Sequence, residues 1–176
     1  EFVTKAAREW YTAPLRTALS QAGLSSDWYY TTSTNLQDKL QNVYGVTLWL
    51  PQFTYKDPHF ASCQEFFDKF KAAKGFAPTY HCALAYTIPL LFELAMRDGR
   101  GGDPLDNQVM RQKLIAMNNI ETIWGPIKFS AKGRIESAGL PVIQWQGKDP
   151  ALKVLHPPAL KTGDIVYPTP PWSKRG

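Results

Sequence analysis

The chain has 176 residues, of which 44% are hydrophobic and 20% charged, with a net charge of +5. That composition suits one packed domain, or two small ones, and excludes a disordered chain. The 20 Lys and Arg residues are scattered, so nucleic acid is not an expected partner, and no apolar run reaches the roughly 18–20 residues of a membrane span.

The first residues, "EFVTKAAREW", are charged and amphipathic. They predict a helix over 2–11 and do not read as a signal peptide. Ala13-Pro14 then opens a second helix, with Leu15, Leu19 and Ala22 on its apolar face and Gly23 as its stop. "WYYTT" (Trp28–Thr32) is aromatic and β-branched, which predicts a short strand. Asn35–Tyr44 has the spacing of a short amphipathic helix. In "GVTLWLPQF" the alternation of Val46, Leu48 and Leu50 with Thr47 and Trp49 predicts a strand ended by Pro51.

The middle of the chain is helical in pattern. Asp57-Pro58 reads as a cap and first residue, Phe60, Cys63, Phe67 and Phe70 keep helical spacing, and Gly75 ends the run. Pro78 opens the next helix. It is apolar almost all round from Ala83 to Met96, which predicts burial on most sides, with a kink at Pro89. After the loop "RDGRGGDP", Asp103-Pro104 starts a third helix that turns Leu105, Val109, Met110 and Leu114 inward. "ETIWGPIKFSAKGRI" reads as a β-segment with a Gly-Pro bend and a turn at Ser130–Gly133. "GLPVIQWQGKDPALKVLHP" reads as two strands joined at Gln146–Pro150. The tail from Pro157 is rich in proline and predicts an extended surface run. The order of elements is α/β but incomplete, with too few strands to cover both faces of a parallel sheet.

Familiar catalytic signatures are missing. His59, His81 and His156 lie far apart, without CxxC or HExxH spacing, so neither a metal nor a cofactor is expected. No GxSxG elbow occurs. "DGRGGD" follows a helix, whereas a phosphate cradle follows a strand. An enzyme is therefore not expected. Cys63 and Cys82 fall near the starts of successive helices, which an antiparallel hairpin would hold apart. Two thiols acting as small hydrophobes are expected over a disulfide.

Three places carry groups suited to a ligand. Tyr80 and His81 open an apolar helix at its positive dipole end, as ligand contacts or as a capping or core aromatic pair. Trp49 precedes Pro51 as a core residue or as an aromatic wall at a strand end. Tyr29–Thr34 is an uncharged run of hydroxyl side chains, either a strand-end binding loop or a turn that caps the next helix.

The succession "LRTALSQAGL", "YYTT", "GVTLWLP", "FFDKFKAAKGFAPTYHCALAY", "ETIWGPIKFSAKGRI" and "LPVIQWQGKDPALKVLHPPALKTGDIVYPTPPW" resembles the C-terminal half of periplasmic solute-binding proteins of ABC transporters. The branch is the type I, branched-chain amino acid receptor-like one, and the resemblance covers about residues 14–172. It implies an α/β, two-lobed type I fold with Rossmann-like lobes, of which most of the N-terminal half is missing from this sequence. Residues 1–50 would be part of the C-terminal lobe. Residues 51–145, with the helices of 58–117 and a β-hairpin, would be part of the N-terminal lobe, and 146–176 would form the return crossing and tail.

The implied function is capture of a small molecule in an inter-lobe cleft for an ABC importer, outside the cytoplasm, in the periplasm. A ligand-sensing regulatory domain of the same fold is the alternative. Implied partners are the ligand, a membrane permease and the missing N-terminal half. Tyr30, Thr32, Ser33, Trp49, Tyr80 and His81 are the implied ligand-binding residues. One departure narrows the ligand: the loop that carries an acidic partner for the ammonium in amino-acid binders here reads Thr31-Thr32-Ser33-Thr34. That leaves room for an aromatic or aliphatic carboxylate or an amide beside an amino acid.

Overall fold

The computed structural model describes residues 19–20, 41–136, 139–147 and 152–170. The expected helix over 2–11 and the strand Trp28–Thr32 lie outside the described residues. The described residues form β1 (Leu19–Ser20), β2 (Tyr44–Val46), α1 (Cys63–Lys74), α2 (Tyr80–Arg97), α3 (Asn107–Ala116), β3 (Val142–Trp145) and β4 (Leu152–His156). They divide into two compact units. One comprises residues up to Leu48 and from Gly139 onward, and the other is Trp49–Ala138.

The first unit is a mixed four-stranded sheet of order β1-β2-β3-β4. β1 runs parallel to β2, and the other pairs are antiparallel, with Tyr44 opposite Gln144 and Val46 opposite Val142. Leu19 is thus in a strand, not in the expected helix: its backbone is hydrogen-bonded to the edge of β2. Tyr44 likewise starts a strand where a helix end was expected, and Asn42, at φ 63, turns the chain into it. The hairpin β3–β4 follows the expected pattern. Val142–Trp145 is paired on both sides within this sheet.

The proline-rich tail is less free than its composition suggests. Gln144 is fully buried, and its amide grips the Val166 backbone from both sides. Oε1 accepts from Val166 N at 3.0 Å and Nε2 donates to Val166 O at 3.2 Å. Tyr44 Oη donates to the same carbonyl at 2.6 Å. A buried amide is satisfied here by copying the hydrogen-bond pattern of a strand, so the tail is held by backbone bonds at Val166 as well as by the buried Leu160 and Thr169.

The second unit holds the three helices. α1 begins at Cys63, not at Pro58. The Asp57 carboxylate caps only the local turn, accepting from His59 N and Phe60 N at 2.8 Å each. Ser62 then caps the helix by accepting from Glu65 N, while Glu65 reaches back to Ala61 N at 2.7 Å. This reciprocal cap is a stronger start than Asp-Pro. The shift turns Phe66 inward, not Phe67. Gly75 stops α1 at φ 77, its N–H donating to Lys71 O. α3 starts from Asp106, which accepts from Gln108 N and Val109 N. Leu105, expected inside, is therefore left in the preceding turn and is 83% exposed.

α2 packs Leu91 against Ile120 and Ile127, with Leu94, Leu114 and Trp124 around them. Its other face departs from expectation: Ile88, Phe92 and Met96 are exposed. The segment after α3 closes by two short bridges, Ile120 to Ile127 and Phe129 to Ile135, with the expected turn made by Gly133 N donating to Ser130 O.

Candidate functional site

Of the expected ligand-binding residues, Tyr30, Thr32 and Ser33 lie outside the described residues. Trp49 is a core residue. It is 0% exposed and stands edge-on to Phe66 at 5.8 Å. The expected alternation breaks down here, with Thr47, Trp49 and Leu50 buried and Leu48 exposed. β2 ends at Val46, so the pleat that would turn Leu48 and Leu50 the same way does not continue. No surface of Trp49 remains for a ligand.

Cys63 ties three segments around this tryptophan. Its thiol donates to Ile123 O at 3.2 Å and to Tyr55 O at 3.5 Å. Burial pushes the thiol up to about 12 against the weaker opposing effect of its hydrogen bonds. A thiol held so far above neutrality stays protonated, the form that is a poor nucleophile. Both cysteines are free. Nearby, Tyr86 packs against Phe60 and Phe66, and burial followed by the facing Asp57 carboxylate raises its hydroxyl above the ordinary phenol value.

Tyr80 and His81 are placed differently. They form the first residues of α2, Tyr80 half-buried and His81 exposed, with ring centroids 3.8 Å apart. The helix start has two further features, beside a 3.6 Å contact of the Thr79 hydroxyl with the Cys82 sulfur. Thr79, the N-cap residue, makes no side-chain capping bond, and the first turn holds no acidic residue. The positive end of the helix dipole is therefore not neutralised by its own side chains, which favours an anionic or acceptor group there.

Trp124 stands third in this aromatic group, 6.4 Å from Tyr80. Composition alone did not single it out. Its signal is the neighbouring Gly125-Pro126, which announces a bend able to present a side chain. The bend is built by Thr122, whose hydroxyl donates to Gly125 O at 2.7 Å and accepts from Trp124 N at 3.1 Å. Gly125 takes φ 112, and a Cβ there would stand 3.1 Å from the Tyr55 ring, so both backbone and space require glycine. Among the described residues, no three His, Cys, Asp or Glu side chains gather as a metal site. No helix among them is long and apolar enough to cross a membrane.

No family model matches the chain. Solved structures do. The leucine binding protein LivK of Thermotoga maritima aligns at a TM-score of 0.60 with 16% identity, over 88% of this chain and 40% of that one. An ABC transporter substrate-binding protein of Desulfitobacterium hafniense, solved in complex with Leu, aligns at 0.57 with 18% identity, over 88% and 39%. A Rhodospirillum rubrum protein assigned as a branched-chain amino acid ABC transporter aligns at 0.59 with 18% identity, over 88% and 40%. The chain has the fold of part of a type I periplasmic binding protein, as its motif order implies. It spans about 40% of the length of the solved proteins it matches.

Proposed function

We propose that this chain is part of a solute-binding protein of an ABC importer, acting in the periplasm without catalysis and delivering its ligand to a membrane permease. The observation that carries this reading is the shared fold, over 88% of the chain, with proteins described as substrate-binding or leucine-binding. The open start of α2, with Tyr80 and His81 on an unneutralised helix end, supports it as one wall of the ligand site. Tyr30, Thr32 and Ser33 are further proposed ligand contacts in this reading. Trp49 is not, because it is enclosed in the core.

The ligand class follows from the Thr31–Thr34 loop, which holds hydroxyls and no acid. An ammonium group enclosed without a counter-charge costs several kcal/mol, so the preferred ligand is an aromatic or aliphatic carboxylate or an amide, ahead of a zwitterionic amino acid. Isothermal titration of the polypeptide made from its own gene, with benzoate, a branched aliphatic acid, its amide and leucine, tests this. Tighter binding of the acids or the amide is expected. Leucine binding tighter than the other three contradicts the ligand class, and failure of every small polar solute to bind contradicts the function.

A further inference from the structure

Where α2 ends, the surface loop "RDGRGGDP" carries the dipeptide Asp98-Gly99. This pair has a chemistry of its own. The Gly99 peptide nitrogen can form a bond to the Asp98 side-chain carbon Cγ, while the carboxyl OH and the amide proton leave as water. The product is a five-membered succinimide. Water then opens the ring, and opening at the Asp98 main-chain carbonyl leaves isoaspartate, with the chain rerouted through the side chain. Glycine is the following residue that hinders this attack least, because it has no Cβ. Gly99, Arg100 and Gly101 are exposed, and a Cβ on Gly99 would meet nothing within 4 Å. Sequence, solvent and space all favour the reaction at this position.

The folded chain opposes it at three points. The first is the charge of the carboxyl, which must be protonated before its oxygen can leave. Arg100 holds it ionised. Nε donates to Oδ1 at 2.9 Å and to Oδ2 at 2.7 Å, and Nη2 donates to Oδ2 as well. These bonds bring the carboxyl down to about 2 from an ordinary 3.8, and the charge of Lys113 adds to them. The second is the direction of the carboxyl. Oδ1 accepts from Arg100 N at 3.0 Å, so the group is drawn past Gly99 to the amide beyond it. The third is the peptide plane. Asp98 has φ −64 and ψ 118, which turns the Gly99 nitrogen away from Cβ, whereas ring closure needs the two eclipsed. Lys113 of α3, 6% exposed, fixes that plane by donating from Nζ to Asp98 O at 3.1 Å. The carbonyl cannot swing round without breaking the bond of a buried ammonium.

We propose that Asp98-Gly99 is a latent isoaspartate site, kept closed in the folded protein by Arg100 on its carboxyl and Lys113 on its carbonyl. A surface ion pair adds little to the stability of a fold; placed over this dipeptide, it acts on a covalent reaction instead. Tyr80 and His81 lie at the other end of α2 and take no part, so the ligand reading and this site can fail separately.

The test holds the polypeptide made from its own gene at neutral pH for several weeks, beside a free peptide of residues 94–103. Enzymatic methylation counts isoaspartate, and loss of cleavage by an aspartate-specific protease locates it at Asp98. The folded protein is expected to form it at about a tenth of the peptide's rate or less, and Arg100→Ala to raise the protein's rate about tenfold with an unchanged melt. Lys113→Met, compared at a temperature where its circular dichroism is native, is expected to raise the rate by a smaller factor. Gly99→Ala added to Arg100→Ala fits the open space at Gly99 and is expected to return the rate to background. A wild-type rate equal to that of the peptide overturns the proposal, as does an Arg100→Ala rate equal to that of wild type. A Lys113→Met rate equal to that of wild type overturns the part given to Lys113. Isoaspartate that persists in the double variant comes from another residue and overturns the assignment to this site.

Discussion

Two aromatic groups of the second unit look alike in sequence and behave in opposite ways. Around Trp49 the groups are turned inward: the Cys63 thiol meets two backbone carbonyls, and Phe66 closes the side of the enclosed indole. At the start of α2, Tyr80, His81 and Trp124 gather instead at an end that lacks its own acid and its own side-chain cap. The first group spends its hydrogen bonds on the fold. The second leaves an electrostatic preference unspent, and that distinguishes a candidate site from a core.

The contrast can be broken most sharply at Trp49. Trp49→Ala is expected to cost about 3–5 kcal/mol of stability, the usual loss for a fully buried aromatic. Chemical denaturation measures it, and a loss below about 1 kcal/mol would return the tryptophan to the list of ligand contacts. Gly125→Ala comes next. It forces a side chain into a left-handed backbone and against the Tyr55 ring, for about 1–3 kcal/mol. Because the same bend presents Trp124, the quenching of tryptophan fluorescence by iodide should also change. An unaltered melt would show that the bend relaxes freely.

Thiol reactivity sharpens the contrast without mutation. With Cys63 held at about 12, roughly one thiol in ten thousand is ionised at pH 8, and it is enclosed as well. A disulfide reagent should therefore label the half-buried Cys82 in the native protein and reach Cys63 only on unfolding. Equal labelling of both would mean that the Trp49 core opens readily. The smallest effect lies at the far end of α2. Arg100 holds the Asp98 carboxyl down to about 2, from an ordinary value of 3.8. The folded value lies below the unfolded one, so this pair adds stability above about pH 4 and loses it as pH falls towards 2. Asp98→Asn should flatten that part of the acid unfolding curve and lower the neutral melt by the same small amount, since the pair is exposed and screened.

Much of the helical unit was legible in sequence because its signals are local. Gly75 stops α1, Pro78 precedes α2, and Ser130–Gly133 turns, each through backbone rules that need no distant partner. The β3–β4 hairpin was legible for the same reason. What was not legible depends on tertiary contacts. Leu19 lies in a strand because β2 offers an edge, and Phe66 replaces Phe67 in the core because the Ser62–Glu65 cap resets the helix phase. Gln144 reads as an ordinary strand residue until its amide is seen gripping Val166. Of the candidate site, Tyr80 and His81 could be named from their place at a helix start. Trp124 needed the fold to bring it beside them, and Trp49 needed the fold to bury it.

The account rests most heavily on the start of α2 as a ligand wall. The direct test pairs two readings on His81→Ala in the polypeptide made from its own gene: ligand titration and ligand-free unfolding. The account predicts affinity weakened by about 1–3 kcal/mol, the cost of a lost enclosed partner, with stability changed by less than about 0.5 kcal/mol, as for an exposed side chain. Unchanged affinity with a clearly lowered melting temperature would contradict it, and would make the histidine a structural residue of the helix end.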